Sequence, residues 1–315
     1  MTLGSRLRRL LFVCPLVGVV AGMSLASGRT ASADTADKTE LNERCATRLS
    51  IALLGRSPDA TLFASATPQA SVNGMLLSQD FIERFSRFVN ARFNPTPGVT
   101  QDEDAAYFMA KRVLAEGKPW QDMFVGPYRV ENGAAVDDPN GLGYFRSPAW
   151  LKRYAGNEGA GLKIVTGARM LKDTLGLKLE AVTNEPSVDI SATGRQAPGC
   201  RGCHFENWYA LDKVASVLTR RQGKGDKMTF VPSTTGPAAL LDGQTIADDK
   251  QLVTTIVASE GFRFNVCRLA FQFLYGRAEN VCEGPAFDRC MTEFSAKQTM
   301  QSAISAVASD PSFCQ

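Results

Sequence analysis

The sequence predicts an all-α fold, with a helical N-terminal region, a central region built around a cysteine and histidine motif, and a disulfide-tied helical C-terminal region. Three observations carry that expectation. Apolar side chains recur at three- and four-residue spacing over most of the chain, capping residues and stop glycines bracket those runs, and the alternation of a half-buried strand is scarce.

Residues 1–33 stand apart. Arg6, Arg8 and Arg9 make a positive start, Leu10 to Leu25 is apolar, and Ala31-Ser32-Ala33 offers a small-residue cleavage site, which is the pattern of a secretory signal peptide. Pro15, Gly18 and Gly22 interrupt the apolar run, which is shorter than the roughly 20 residues of a membrane span, so no stable span is expected after cleavage. Cys14 lies too early, and after Val13 rather than a small residue, for a lipid anchor. The mature chain is expected outside the cytoplasm, in the periplasm, cell envelope or extracellular space. Of the 35 basic residues, four lie in this leader, which has no acidic residue, leaving 31 against 32 acidic side chains. The slight positive charge of the whole is that of the leader, and without a clustered positive field nucleic acid is excluded as a partner.

The remainder reads as an N-terminal helical module (34–140), a central module (141–246) and a C-terminal helical module (247–315). In the first, helices are expected at 38–54, 78–94 and 102–116; the second is the clearest, with Phe81, Phe85, Phe88 and Val89 on one face and Ser78 as N-cap. "PYRVENG" has the look of a short hairpin arm or loop, and "VDDPNGLG" lacks the ligand spacing of a calcium loop and reads as a turn. The central module is expected to hold helices at 158–175 and 204–221, with polar connectors at 185–199 and 223–243. In the last module, capping aspartates open a helix bearing Leu252, Val253, Ile256 and Val257; a second, after Gly261, carries Val266, Leu269, Phe273 and Leu274 to a stop at Gly276, and a third covers 296–309. "RLSIALLGR" and "RLAFQFLYGR" echo each other because each ends a buried helix at a glycine.

Seven of the eight cysteines lie past the leader. Export to an oxidising compartment predicts disulfides. Setting aside Cys200 and Cys203, the five that remain (Cys45, Cys267, Cys282, Cys290, Cys314) allow two bridges and one spare thiol. Cys282 to Cys290 is the favoured bridge, because "CEGPAFDRC" closes a short loop through a Gly-Pro turn.

The chemistry is concentrated in "APGCRGCHFENWYALDKVA", residues 197–215, where C-x-x-C-H spacing involves the only histidine of the chain. Two thiols three positions apart lie on one side of a helical turn, placed to join the two vinyl groups along one haem edge, and the adjacent imidazole reaches the iron. Zinc needs four ligands, and no second C-x-x-C or histidine completes them. A thioredoxin-like dithiol follows a buried strand, whereas here the approach is a polar connector. The expectation is therefore one covalent haem c, with Cys200 and Cys203 as thioether anchors and His204 as the proximal iron ligand. For the distal position a second histidine is impossible; Met228, 24 residues on in "KGDKMTFVP", is the candidate, and Met109 and Met170 lie in apolar stripes that read as core. A His/Met iron is saturated and suits electron transfer to redox partner proteins. Enzymatic activity is left open: a five-coordinate, peroxidase-like oxidoreductase is one alternative, and an envelope interaction protein with a sensory or structural haem is another. Arg201, Trp208 and Tyr209 flank the motif as haem contacts or as packing.

The order of these stretches resembles the secreted single C-x-x-C-H proteins of planctomycetes and myxobacteria, the planctomycete-type cytochrome c family. "RLSIALLGRSPD" with "LLSQDFIERFSRFVNARFN" is similar to its opening helical module, "LGYFRSPAWLKRYAGN" with "APGCRGCHFENWYALDKV" to its haem module, and the tail from "ALLDGQTIADDK" to "AISAVASDPSFC" to its C-terminal module. The resemblance spans most of residues 44–314 and implies a haem ligated through Cys200, Cys203 and His204. After the motif "FENWYALDKV" departs from the family's usual run, so the resemblance implies no haem-edge contacts.

Overall fold

The computed structural model describes residues 30–98, 102–154, 164–179, 187–223, 229–233, 235–240 and 243–315, with the backbone alone for 30–36 and 221. The expected leader thus lies outside the described residues up to position 29. The chain divides into a unit ending at Thr39 and a second from Glu40 to Gln315; the architecture below is that of the second. Among the described residues no helix is long and apolar enough to cross a membrane.

The fold is mainly helical. Helix α1 (Thr30–Leu54) ends at Gly55, whose φ of 72° lets its N–H close onto the carbonyls of Ser50 and Ile51. Two short helices, α2 (Ala60–Phe63) and α3 (Val72–Leu76), lead to α4 (Gln79–Phe93). Ser78 caps α4 by accepting from the Phe81 N–H at 3.2 Å. Phe81, Phe85 and Val89 are fully buried. Helix α5 (Ala105–Ala115), entered through a 3-10 turn at Asp102–Asp104, packs on α4. The short α6 (Asp122–Val125) follows Trp120, whose ring stands edge-on to Phe85 at 5.9 Å.

Strands β1 (Tyr128–Glu131) and β2 (Ala134–Asp137) form an antiparallel hairpin pairing Glu131 with Ala134. Its tip, Asn132 (φ 49°) and Gly133 (φ 73°), has the two left-handed residues that match a tight turn to strand twist. The segment 138–147 is threaded closely past this hairpin and α6: a Cβ on Gly141 would lie 2.4 Å from the Tyr128 backbone nitrogen, and one on Gly143 2.3 Å from the Met123 carbonyl oxygen. The "VDDPNGLG" stretch is a turn, with the Asn140 N–H on the Asp138 carboxylate at 2.9 Å. Helix α7 (Pro148–Tyr154) starts at a proline that needs no N–H partner, and buries Trp150 against Phe145 and Tyr154.

Helix α8 (Ile164–Leu175) matches the expectation for 158–175 over its described part. One turn, α9 (Pro198–Arg201), runs into a wider π-helical turn at Gly202–Glu206, and α10 (Leu211–Val217) follows. The single helix expected at 204–221 is therefore broken: Asn207 turns extended, Ala210 takes φ 20°, and residues from Arg220 enter a strand. Strands β3 (Arg220–Gln222) and β4 (Thr229–Val231) form one antiparallel hairpin, and β5 (Ala238–Leu240) and β6 (Gln244–Ile246) another. Within the stretch read as a connector at 223–243, Thr229–Val231 and Ala238–Leu240 are thus hairpin strands. With three two-stranded sheets among the described residues, all-α is corrected to mainly helical.

The C-terminal helices are α11 (Asp249–Ala258), α12 (Glu260–Tyr275), α13 (Gly284–Lys297) and α14 (Met300–Ala308). The break between the first two is at Ser259, which is extended and caps α12, two residues before Gly261. Gly276 ends α12 at φ 71°, as at Gly55. Phe273 meets Phe85 edge-on at 4.9 Å, so the aromatic face of α4 is buried against α12. Gln69 donates to the carbonyls of Ala308 and Asp310, and Gln301 to that of Leu114, tying the two ends of the chain together.

Helix α13 is the element the Gly-Pro reading missed. Asn280 and Glu283 cap each other's backbone, and Pro285 sits in the first turn, so Gly284-Pro285 opens a helix rather than a loop. Cys290 then shares a buried face with Ala286, Phe287 and Phe294, away from the exposed Cys282. It pairs with Cys267 on α12, and Cys45 pairs with Cys314. The favoured Cys282–Cys290 bridge is overturned; two bridges with one spare thiol, Cys282, stands.

Candidate functional site

The motif lies on a short, locally irregular stretch held by better-packed neighbours. Ala197 is extended, and its carbonyl accepts from the N–H groups of Cys200 and Arg201 at 2.9 Å, starting the α9 turn. The Asn207 N–H reaches back five residues to Gly202 at 2.8 Å, closing the π turn that contains Cys203 and His204. Such single wide turns in helices occur often at functional sites. Neither turn contributes a buried side chain.

Cys200 is half-buried, Cys203 is exposed, and both thiols are free. The His204 ring, 20% exposed, places Nδ1 2.7 Å from Oδ2 of Asp212. Asp212 is 6% exposed and lies in the first turn of α10. Its other oxygen, Oδ1, accepts from Arg195 Nη2 at 2.8 Å, and Arg195 Nε lies 3.2 Å from both oxygens. Arg195 is fixed in turn by donating from Nη1 to the Ile190 carbonyl at 2.6 Å. A carboxylate only accepts, so the imidazole proton sits on Nδ1 and the Nε2 lone pair is the one left for a ligand.

Asp212 is held by its helix. Leu211, Val214 and Val217 are buried, and Val214 lies against Gly167 of α8, where an added Cβ would come within 3.0 Å of Val214 Cγ1. Past the end of α10, the Thr219 hydroxyl donates to Asp249 at 2.7 Å. The Arg146 guanidinium, from the stretch before α7, forks onto both oxygens of that same buried carboxylate, at 2.7 and 3.1 Å. The end of α10 is thereby pinned to α11 and to the Arg146 turn.

Of the three flanking residues, the Tyr209 hydroxyl contacts Cys203 Sγ at 3.6 Å, and this contact holds its pKa above the ordinary tyrosine value. Arg201 pairs with Glu206 at 2.6 Å, an exposed pair worth little. Trp208 is 43% exposed. Met228, the candidate for the distal position, lies outside the described residues. Met109 and Met170 are buried in the core as expected.

Asp212 and Arg195 are the site residues that the sequence reading missed. The only signal was a polar pair flanking the motif, with Arg195 inside a stretch that read as a connector. Among the described residues, no three histidine, cysteine, aspartate or glutamate side chains converge as a preformed metal cage. A groove of about 700 Å³ lined by Leu77, Arg289 and Thr292 contains none of the motif residues. In comparison with known proteins, no family model matches the chain, and no curated protein or solved structure matches it either.

Proposed function

We propose that this chain is an exported monohaem c-type cytochrome of the planctomycete type, which passes single electrons to and from redox partner proteins. The observation that carries the reading is the pairing of free thiols with an anchored ring. Four cysteines are joined in two bridges, while Cys200 and Cys203 stay free on adjoining turns beside the sole histidine, and that histidine is fixed through Nδ1 by a buried carboxylate. Metal-binding histidines have this second bond as a rule, since it sets the tautomer and the ring's orientation.

The residues present fit a covalent haem. When bound, the haem supplies a one-electron Fe(III)/Fe(II) couple. Cys200 and Cys203 would hold the porphyrin through thioethers, His204 would offer Nε2 to the iron, and Met228 is proposed as a second iron ligand. The exposure of Cys203 and Trp208 keeps this side of the site open to an approaching partner.

The test is maturation in a host that ligates haem c. The expected outcome is a thioether-type pyridine haemochrome spectrum, a mass raised by one haem, and a thiol titre that falls from three (Cys200, Cys203, Cys282) to one. A colourless product of unshifted mass with three reactive thiols overturns the reading. A second reading, a five-coordinate oxidoreductase, has one observation in its favour: a carboxylate partner makes the imidazole a stronger donor. Immediate carbon monoxide binding by the ferrous protein supports that reading, and slow or absent binding supports electron transfer.

A further inference from the structure

We propose that Asp212 and Arg195 are a paired setting for the reduction potential at His204: the carboxylate lowers it and the guanidinium limits how far. The proposal rests on the haem reading above and adds to it two positioning residues outside the C-x-x-C-H motif.

The geometry gives each atom one task. Oδ2 of Asp212 faces His204 Nδ1 at 2.7 Å, within the range of a charge-assisted bond. Oδ1 faces Arg195 Nη2 at 2.8 Å. The acid is 6% exposed, so its charge acts on the ring through protein rather than through water. An anionic acceptor strengthens the imidazole as a donor. Oxidised iron has one more positive charge than reduced iron, so a stronger donor favours the oxidised state and lowers the potential. Arg195 draws on the same carboxylate from its far side, reduces its pull on the Nδ1 proton and places a positive charge behind it, and both effects favour the reduced state. The Ile190 carbonyl, 2.6 Å from Arg195 Nη1, keeps the guanidinium on the acid.

Opposite signs distinguish this role from a merely structural one. In Asp212→Asn the side chain keeps its shape, and its amide oxygen still accepts from Nδ1–H, but the charge is gone. The ratio of reduced to oxidised protein at a fixed poise is expected to rise by about tenfold, equivalent to about 59 mV for a one-electron couple. In Arg195→Met the carboxylate is left to the imidazole alone, and the ratio is expected to fall. Asp288→Asn, in the distant α13 groove, is expected to change neither.

The experiment is a spectroelectrochemical titration of the four matured proteins, with haem attachment first verified by haemochrome spectrum and mass. Failure of the wild type to acquire haem defeats the haem reading. Normal attachment with shifts that are absent, or of one sign in both variants, defeats the present proposal alone. Where a variant does not fold, a nitrogen-15 spectrum of the full wild-type chain before haem attachment decides, because His204 is the only histidine. Above the ring's titration range it is expected to show a single Nδ1–H tautomer; an Nε2–H tautomer or an averaged mixture overturns the proposal.

Discussion

Removal of the bridges one at a time tests the arrangement of the two chain ends. Cys45 and Cys314 are 269 residues apart, and Cys267 and Cys290 are 23 apart. In the chain-entropy view a cross-link stabilises by restricting the unfolded ensemble, and it does so more for a longer loop: about 3 kcal/mol for the short loop and about 5 kcal/mol for the long one. Substituting both cysteines of a pair by alanine also leaves a space, since Cys267 and Cys290 are fully buried and Cys45 nearly so. Measuring each double variant against the wild type with reductant present gives that cavity cost alone, and subtracting it from the cost without reductant leaves the cross-link contribution. Urea unfolding followed by the fluorescence of buried Trp120 and Trp150 is a suitable readout. Loss of Cys45–Cys314 is expected to cost about 2 kcal/mol more than loss of Cys267–Cys290. An equal or smaller cost refutes the entropic reasoning, and a peptide map showing Cys282 bonded to Cys290 refutes the placement of α13.

Three further outcomes are expected. Burial pushes the Asp173 carboxyl up to about 7, against the opposing pull of Arg169 at 3.0 Å. A carboxyl raised in the folded state stabilises fully below its unfolded value of about 3.9 and loses that contribution as pH rises to about 7, which over this window amounts to about 4 kcal/mol. Asp173→Asn therefore removes most of the decline between pH 4 and pH 7, and parallel stability curves for the two proteins rule this out. Gly143→Ala drives a Cβ into the Met123 carbonyl at φ 45° and is expected to cost about 3 kcal/mol, whereas Gly117→Ala, at φ 60° with nothing nearby, costs about 1 kcal/mol; equal costs discount the close approach. Arg146→Met leaves the buried Asp249 carboxylate with Thr219 as its remaining side-chain partner among the described residues, at about 3–5 kcal/mol, and adding Asp249→Leu recovers much of it; denaturant midpoints report both.

Residues whose structure depends on near neighbours were readable from the sequence. The α4 stripe with its Ser78 cap, the paired helices α11 and α12, and the glycine stops at Gly55 and Gly276 each rest on contacts within about one helical turn. Gly284-Pro285 shows where a local rule misleads. The pair suits a turn, but Asn280 and Glu283 supply the N–H and carboxylate partners that turn the same residues into a helix start. Once α13 forms, Cys290 faces α12 and its short-range partner is out of reach. The hairpins β3–β4 and β5–β6 have three-residue strands, too short for an alternation to register in the sequence. At the site, the C-x-x-C-H spacing was legible in the sequence, while the meeting of Asp212 and Arg195 was not, because it depends on the 187–199 stretch folding back onto α10.

That division bears on how the site keeps its geometry. The turns holding Cys200, Cys203 and His204 have no buried side chain of their own, so hydrophobic packing cannot fix the ring from within the motif. Rigidity reaches it from α10, which is seated on α8 at Gly167 and pinned near its far end by the Asp249 carboxylate. The bond from Asp212 to Nδ1 is the described side-chain link between that scaffold and the ring. A motif mounted this way leaves the Cys203 thiol exposed while its imidazole takes a fixed orientation from elsewhere. The same carboxylate that aims the ring also faces it with a charge, so orientation and donor strength at His204 rest on one residue and respond together when it is changed.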